Sequence, residues 1–153
     1  MTPEEKIKEL GCELLQAPSP LGSYLPSLRA GNLVFLSGIL PLKNGKLYKS
    51  GKVGEDITLA EAQECAKIAV MNALSALKNQ IGDLDKVGRC VKVTGYVSSA
   101  VNFFEQPHVM NAASDLLYSI FGESGRHVRS AVGANVLPMN APIEIEFIFE
   151  VTV

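Results

Sequence analysis

Two short stretches near the end of the chain carry the charges most able to do chemistry: Arg126-His127-Val128-Arg129 and the run Ile143 to Val151. Arg129 sits where the chain turns strand-like, with Val128 and Val132 around it, and a guanidinium cannot lose its charge to ease burial. It therefore needs an anion, either a carboxylate of the protein or one on a small substrate. In the last stretch Glu144, Glu146 and Glu150 alternate with Ile143, Ile145, Phe147 and Phe149. A period of two places the glutamates on one face of a strand. Their plain reading is a solvated face, and a buried one needs a cation. If the last two strands pair antiparallel through the connection Ala134 to Pro142, one glutamate lies across the ladder from Arg129. That pair is worth little at a surface. Left unpaired, the same fork takes a substrate carboxylate with two parallel hydrogen bonds. Spacing leaves both readings open.

The other reactive side chains form no familiar constellation. His108 and His127 have no Ser, Cys or Asp at a motif spacing, so triad chemistry finds no support and both read as surface or loop-capping residues. Cys12, Cys65 and Cys90 are widely spaced and form no CxxC or Cys/His pattern, which fits reduced thiols and no zinc site. Gly122 to Gly125 is too short for a phosphate loop, and neither GxGxxG nor GxxxxGK[ST] occurs. No metal and no organic cofactor is expected. The chain has 153 residues, 47% of them apolar, and a net charge of −2. That is one ordinary domain, and its balance argues against a nucleic-acid surface, which needs concentrated positive charge. No stretch approaches the roughly 18 apolar residues of a membrane span. The expectation is a soluble, cytoplasmic protein.

These residues need elements to position them. Thr2, Pro3 and the following acids start a helix, with Ile7, Leu10, Leu14 and Leu15 at helical spacing. A Pro/Gly/Ser connection leads to two strands joined at Arg29 to Asn32, then a polar loop or hairpin at Asn44-Gly45. Thr58 and Glu61 form a capping box for the clearest helix, which Gly82 stops. A strand from Arg89 to Ser99, a helix from about Pro107 to Phe121, and strands at 127–136 and 141–153 complete the chain. The order is helix, β, β, helix, β, helix, β, β. It predicts an α+β fold with two helices on one face of a mixed sheet. The other face then carries Ser37, Tyr96, Arg129 and the glutamates among apolar neighbours, covered by the N-terminal helix or by another copy of the chain.

At Arg129-Ser130, Leu137-Pro138 and Ile143-Glu144-Ile145-Glu146 the sequence resembles the YjgF/Rid family of reactive intermediate deaminases, known historically as L-PSP endoribonucleases. Gly22, Tyr24, Ser37, Gly38 and Pro41 agree with the family pattern in the first half. The resemblance covers roughly residues 20 to 153 and looks like a divergent branch, with residues 1–19 as an N-terminal helical extension of a single domain. It implies a chorismate-mutase-like fold and a homotrimer with clefts between subunits. It also implies roles: Arg129 holds the substrate carboxylate, Glu144 positions or activates water, and Tyr24, Ser37 and Gly38 line the cleft. Asn111 is a further candidate on the second helix. Ser23 and Ala131 depart from the deaminase pattern, where proline and often cysteine stand.

The implied reaction is hydrolysis of 2-imino acids to 2-keto acids and ammonia. A second reading is a carboxylic-acid binding or regulatory protein with the same clamp and no competent water. A third is an endoribonuclease, which the acidic balance and the missing aromatic-basic surface disfavour.

Overall fold

Thr2 and Thr58 open two helices with the same reciprocal cap. Each hydroxyl accepts from the backbone N–H three residues on, and the Glu5 and Glu61 carboxylates accept in return from the threonine N–H. The computed structural model, which describes residues 1–152, places α1 at Pro3–Glu9 and α2 at Leu59–Ile81. The inward stripe of α2 is Ala62, Cys65, Ala66, Ala69 and Ala73, all fully buried. Such small side chains let the helix lie close to the sheet. A third helix, α3, spans Gln106–Phe121 and buries Val109, Met110, Ala113 and Leu117.

The strands are β1 (Ser27–Ala30), β2 (Leu33–Leu36), β3 (Leu42–Lys43), β4 (Lys46–Leu47), β5 (Val87–Ser98), β6 (Val128–Ala134) and β7 (Ile143–Val151). Five form one sheet in the order β1-β2-β7-β5-β6. β3 and β4 make a separate hairpin whose turn, Asn44 and Gly45, has φ of 54° and 77°. Two positive φ angles in a two-residue loop are what a type I′ turn requires. The core lies between the helices and Val34, Val93, Val97, Ile143, Ile145, Phe147 and Phe149.

Three details differ from the sequence reading, and each has a physical reason. The last two strands do not pair with each other: β5 lies between them, antiparallel to β7 and parallel to β6. Parallel pairing needs a long crossover, and α3 supplies it. In that register Arg129 stands opposite Val93, and Val93 stands opposite Phe147. Arg129 therefore lies on the helix-covered face and the glutamates on the other, which rules out the cross-strand ion pair. Helix α1 stops at Glu9, and Gly11 follows with φ 75°. It packs on α3, leaving the second sheet face uncovered. A bulge between Cys90 and Lys92 sets Cys90 inward with Val93.

Candidate active site

Glu144 is the anchor of a cleft of about 260 Å³ that also contains Tyr24, Ser37 and Gly38. It lies on the uncovered face of β7, level with Tyr96 on β5. The chain leaving β2 is pinned to it by Ile39, which exchanges hydrogen bonds of 2.8 and 3.0 Å with the Ile145 backbone. That pairing brings Gly38 against the Glu144 side chain. A Cβ at Gly38 would fall 2.0 Å from Glu144 Oε1 and 2.8 Å from its Cδ. Glycine leaves the room that this placement of the Glu144 carboxyl takes up. Burial, followed by the neighbouring Glu146 charge, raises the Glu144 carboxyl above its ordinary 4.5, which suits a group that takes up a proton.

A strap formed by the segment from Pro18 to Pro26 makes the cleft's outer wall, with Pro18, Pro20, Leu21 and Tyr24 on its lining. Ser37 fastens it: its hydroxyl donates to the Leu25 carbonyl at 2.5 Å and its N–H to the Pro26 carbonyl at 3.0 Å. The Tyr24 hydroxyl accepts from the Leu21 N–H at 3.1 Å, so the ring folds back along the strap. The sequence reading gave Tyr24 and Ser37 but not Pro18, Pro20 and Pro138, which line the same cleft.

Replacing Gly38 with alanine separates function from folding. The clashing atoms belong to the free end of a flexible side chain, so the fold accommodates the methyl while the carboxyl is displaced. The expected result is a melting temperature within about 2 °C of wild type and, for a reaction that uses the carboxyl, a turnover lower by roughly 10²-fold, the cost an ångström's misplacement can carry. Equal turnover in the two proteins would detach the position of the Glu144 carboxyl from activity.

Arg129 lies elsewhere, on the edge strand two strands from β7. Its NH1 donates to Asn111 Oδ1 at 2.9 Å and to Ser114 Oγ at 3.1 Å, and its NH2 to the Pro107 carbonyl at 3.5 Å. Positions 107, 111 and 114 share one face of α3 by helical spacing, so the helix presents three neutral acceptors to one guanidinium. Among the described residues no carboxylate pairs with it: Arg129 forms none of the salt bridges. The candidates thus fall into two sets, Tyr24, Ser37, Gly38 and Glu144 in the cleft, and Arg129 with Asn111 at the sheet edge. Ser114 is the residue the sequence reading missed, although its place three positions after Asn111 was the available signal.

The YjgF/chorismate mutase-like family profile matches residues 4–151. The chain belongs to that family. Among YjgF relatives, Protein TCP17 of Trypanosoma cruzi is 37% identical over 145 residues, covering 94% of this chain and 91% of that protein. Reactive Intermediate Deaminase A of Arabidopsis thaliana is 29% identical over 133 residues, covering 87% and 61%. The crystal structure of Atu1372 from Agrobacterium tumefaciens superposes with a TM-score of 0.92 at 42% identity, over 97% of this chain and 92% of that one. The YjgF/chorismate mutase-like fold accounts for the mixed sheet with its helices on one face, and none of these helices is long and apolar enough to cross a membrane.

Proposed function

We propose that the protein hydrolyses 2-imino acids to 2-keto acids and ammonia in clefts between copies of the chain, each cleft combining the Glu144 set of one copy with the Arg129 set of the next. The observation that carries this reading is the unmatched Arg129 charge. A permanent cation at a sheet edge, held by three neutral acceptors, has its shape fixed and its charge uncompensated. A small carboxylate supplies the missing anion. The uncovered sheet face supports the association, since Leu28, Phe35, Val128 and Val132 are exposed there beside Tyr96 and the glutamates. A face of that mixture is commonly covered by a second copy, and a homotrimer is the arrangement we assign. The relationship to Reactive Intermediate Deaminase A supports the reaction class.

In this reading Arg129 takes the substrate carboxylate and turns the imine carbon toward Glu144. Glu144 accepts a proton from water as the oxygen bonds to that carbon, and the C=N π pair moves to nitrogen, which gains a proton. The resulting carbinolamine expels ammonia, with a proton returned to nitrogen and the hydroxyl proton removed, leaving the 2-keto acid. Base assistance of this kind is worth about 10²–10⁴-fold. The strap's prolines and leucine exclude water from the side-chain end of the cleft. No step calls for a metal or an organic cofactor.

The test is turnover of 2-iminopropanoate, generated in place by an amino-acid oxidase and followed against its spontaneous hydrolysis. The purified protein is expected to accelerate it. The rate should fall as pH drops through the raised pKa of Glu144, because only the ionised carboxyl takes up the proton. Binding of 2-keto acids without any acceleration would leave a carboxylate-binding protein and remove the hydrolase.

A further inference from the structure

Arg129 is part of a longer chain of hydrogen bonds. Ser114 Oγ, which accepts from Arg129 NH1, lies 2.9 Å from Nε2 of His127, and Nδ1 of His127 lies 2.7 Å from the Gly125 carbonyl. A carbonyl can only accept, so Nδ1 carries the proton and Nε2 of a neutral ring accepts from the Ser114 hydroxyl. The polarity runs in one direction: Arg129 donates to Ser114, Ser114 to His127, and His127 to Gly125. Gly125 is itself locked, since a Cβ there would fall 2.2 Å from the Leu117 carbonyl oxygen of α3. The rigid end of α3 thus reaches the guanidinium through two side chains.

A serine bonded to a histidine that is oriented by a third group is also how an activated nucleophile is built. Two observations favour support over attack. The Ser114 oxygen already accepts from a guanidinium, which holds it in place. A proton taken up by His127 would also add a positive charge beside the permanent one on Arg129; burial first, and that charge after it, already hold the ring below its ordinary 6.5 against the pull of the Gly125 carbonyl. The other charged groups around the ring are Asp115 on α3, Arg126 and Glu123 in the preceding turn, paired at 3.9 Å, and Arg89 on β5, which donates to the Arg126 carbonyl.

We infer that Ser114 and His127 are positioning residues for Arg129: the neutral imidazole takes the serine proton, directs the serine lone pairs at NH1, and so fixes the plane of the fork that meets the substrate carboxylate. The inference rests on Arg129 being the carboxylate anchor. When His127 gains a second proton, Nε2 becomes a donor, and two cationic donors then converge on one serine oxygen. The fork loosens, and carboxylate affinity declines as pH falls.

The experiment is calorimetric titration of the full chain with 2-oxobutanoate between pH 7.5 and 5.5, in a Glu144→Gln background that removes the carboxyl of raised pKa from the proposed cleft. The parent is expected to bind severalfold more weakly at the acid end. Adding Ser114→Ala should weaken binding about 5- to 10-fold at pH 7.5, the worth of one ordinary hydrogen bond, and flatten the pH dependence. Adding His127→Gln, which keeps an uncharged acceptor, should hold the affinity within about threefold and flatten the dependence as well. Ser114→Ala and His127→Gln proteins that bind and titrate like the parent would overturn the inference while leaving Arg129 as anchor. A parent that binds no 2-oxobutanoate at any pH would overturn both.

Discussion

Arg129→Lys is expected to lower kcat/KM for 2-iminopropanoate by about 10²-fold, and Arg129→Ala by more. Lysine keeps the charge and loses the plane. The guanidinium here is held on one side by Asn111, Ser114 and the Pro107 carbonyl, and its remaining N–H groups stay pointed in fixed directions. An ammonium at the end of a flexible stem cannot serve those acceptors and still present two parallel donors to a carboxylate. Losing one charged hydrogen bond and the alignment of the other amounts to about 3 kcal/mol, which is roughly 10²-fold in rate. The loss should fall mainly on KM, since the carboxylate is bound alike in the ground and transition states. Folding is not the cause, because the site is a half-buried sheet edge and lysine retains most of the stem's packing. A variant with unchanged kcat/KM would show that the carboxylate is held by some other group.

Much of this arrangement was legible before any coordinates, and the exceptions are instructive. The helix starts were readable because a capping box is local: Thr2 with Glu5 and Thr58 with Glu61 need only three residues to declare themselves. The alternation of β7 was readable for the same reason. The position of β6 was not. Whether Val128–Ala134 pairs with β7 or with β5 depends on where α3 delivers the chain, a nonlocal matter, and that choice decided which face Arg129 occupies. The same nonlocality hid the Ser114–His127 contact, thirteen residues apart in sequence and joined only because α3 lies beside β6. Gly38 illustrates the opposite limit. Its place in the cleft could be taken from the resemblance, but the Glu144 carboxyl occupying the space of a side chain there is visible only in three dimensions.

The separation of the two sets of residues makes a sharper demand than either single variant. Glu144 and Arg129 occupy opposite faces of the sheet, on strands two apart, about 10 Å from neighbour spacing alone. If each cleft takes its arginine from one copy and its glutamate from another, Arg129→Ala and Glu144→Gln proteins should each be nearly inactive, and unfolding and refolding them together should restore activity. Random assembly places an intact arginine opposite an intact glutamate in about a quarter of the clefts, since the contact is head-to-tail and each cleft draws one side from each neighbour. Recovery near that fraction, from a mixture of two inactive proteins, is expected by turnover assay. No recovery on mixing, with both variants folded, would place both residues in one chain's site or in none. Glu144→Gln carries its own control. The carboxyl's pKa is raised in the folded chain, so its protonated form is the one folding favours, and that advantage is lost as pH rises through the raised value. The glutamine should therefore raise the melting temperature at pH 7 and leave it little changed near pH 4. A gain in stability on this substitution marks a carboxyl ionised against its surroundings, which a merely solvated strand glutamate is not.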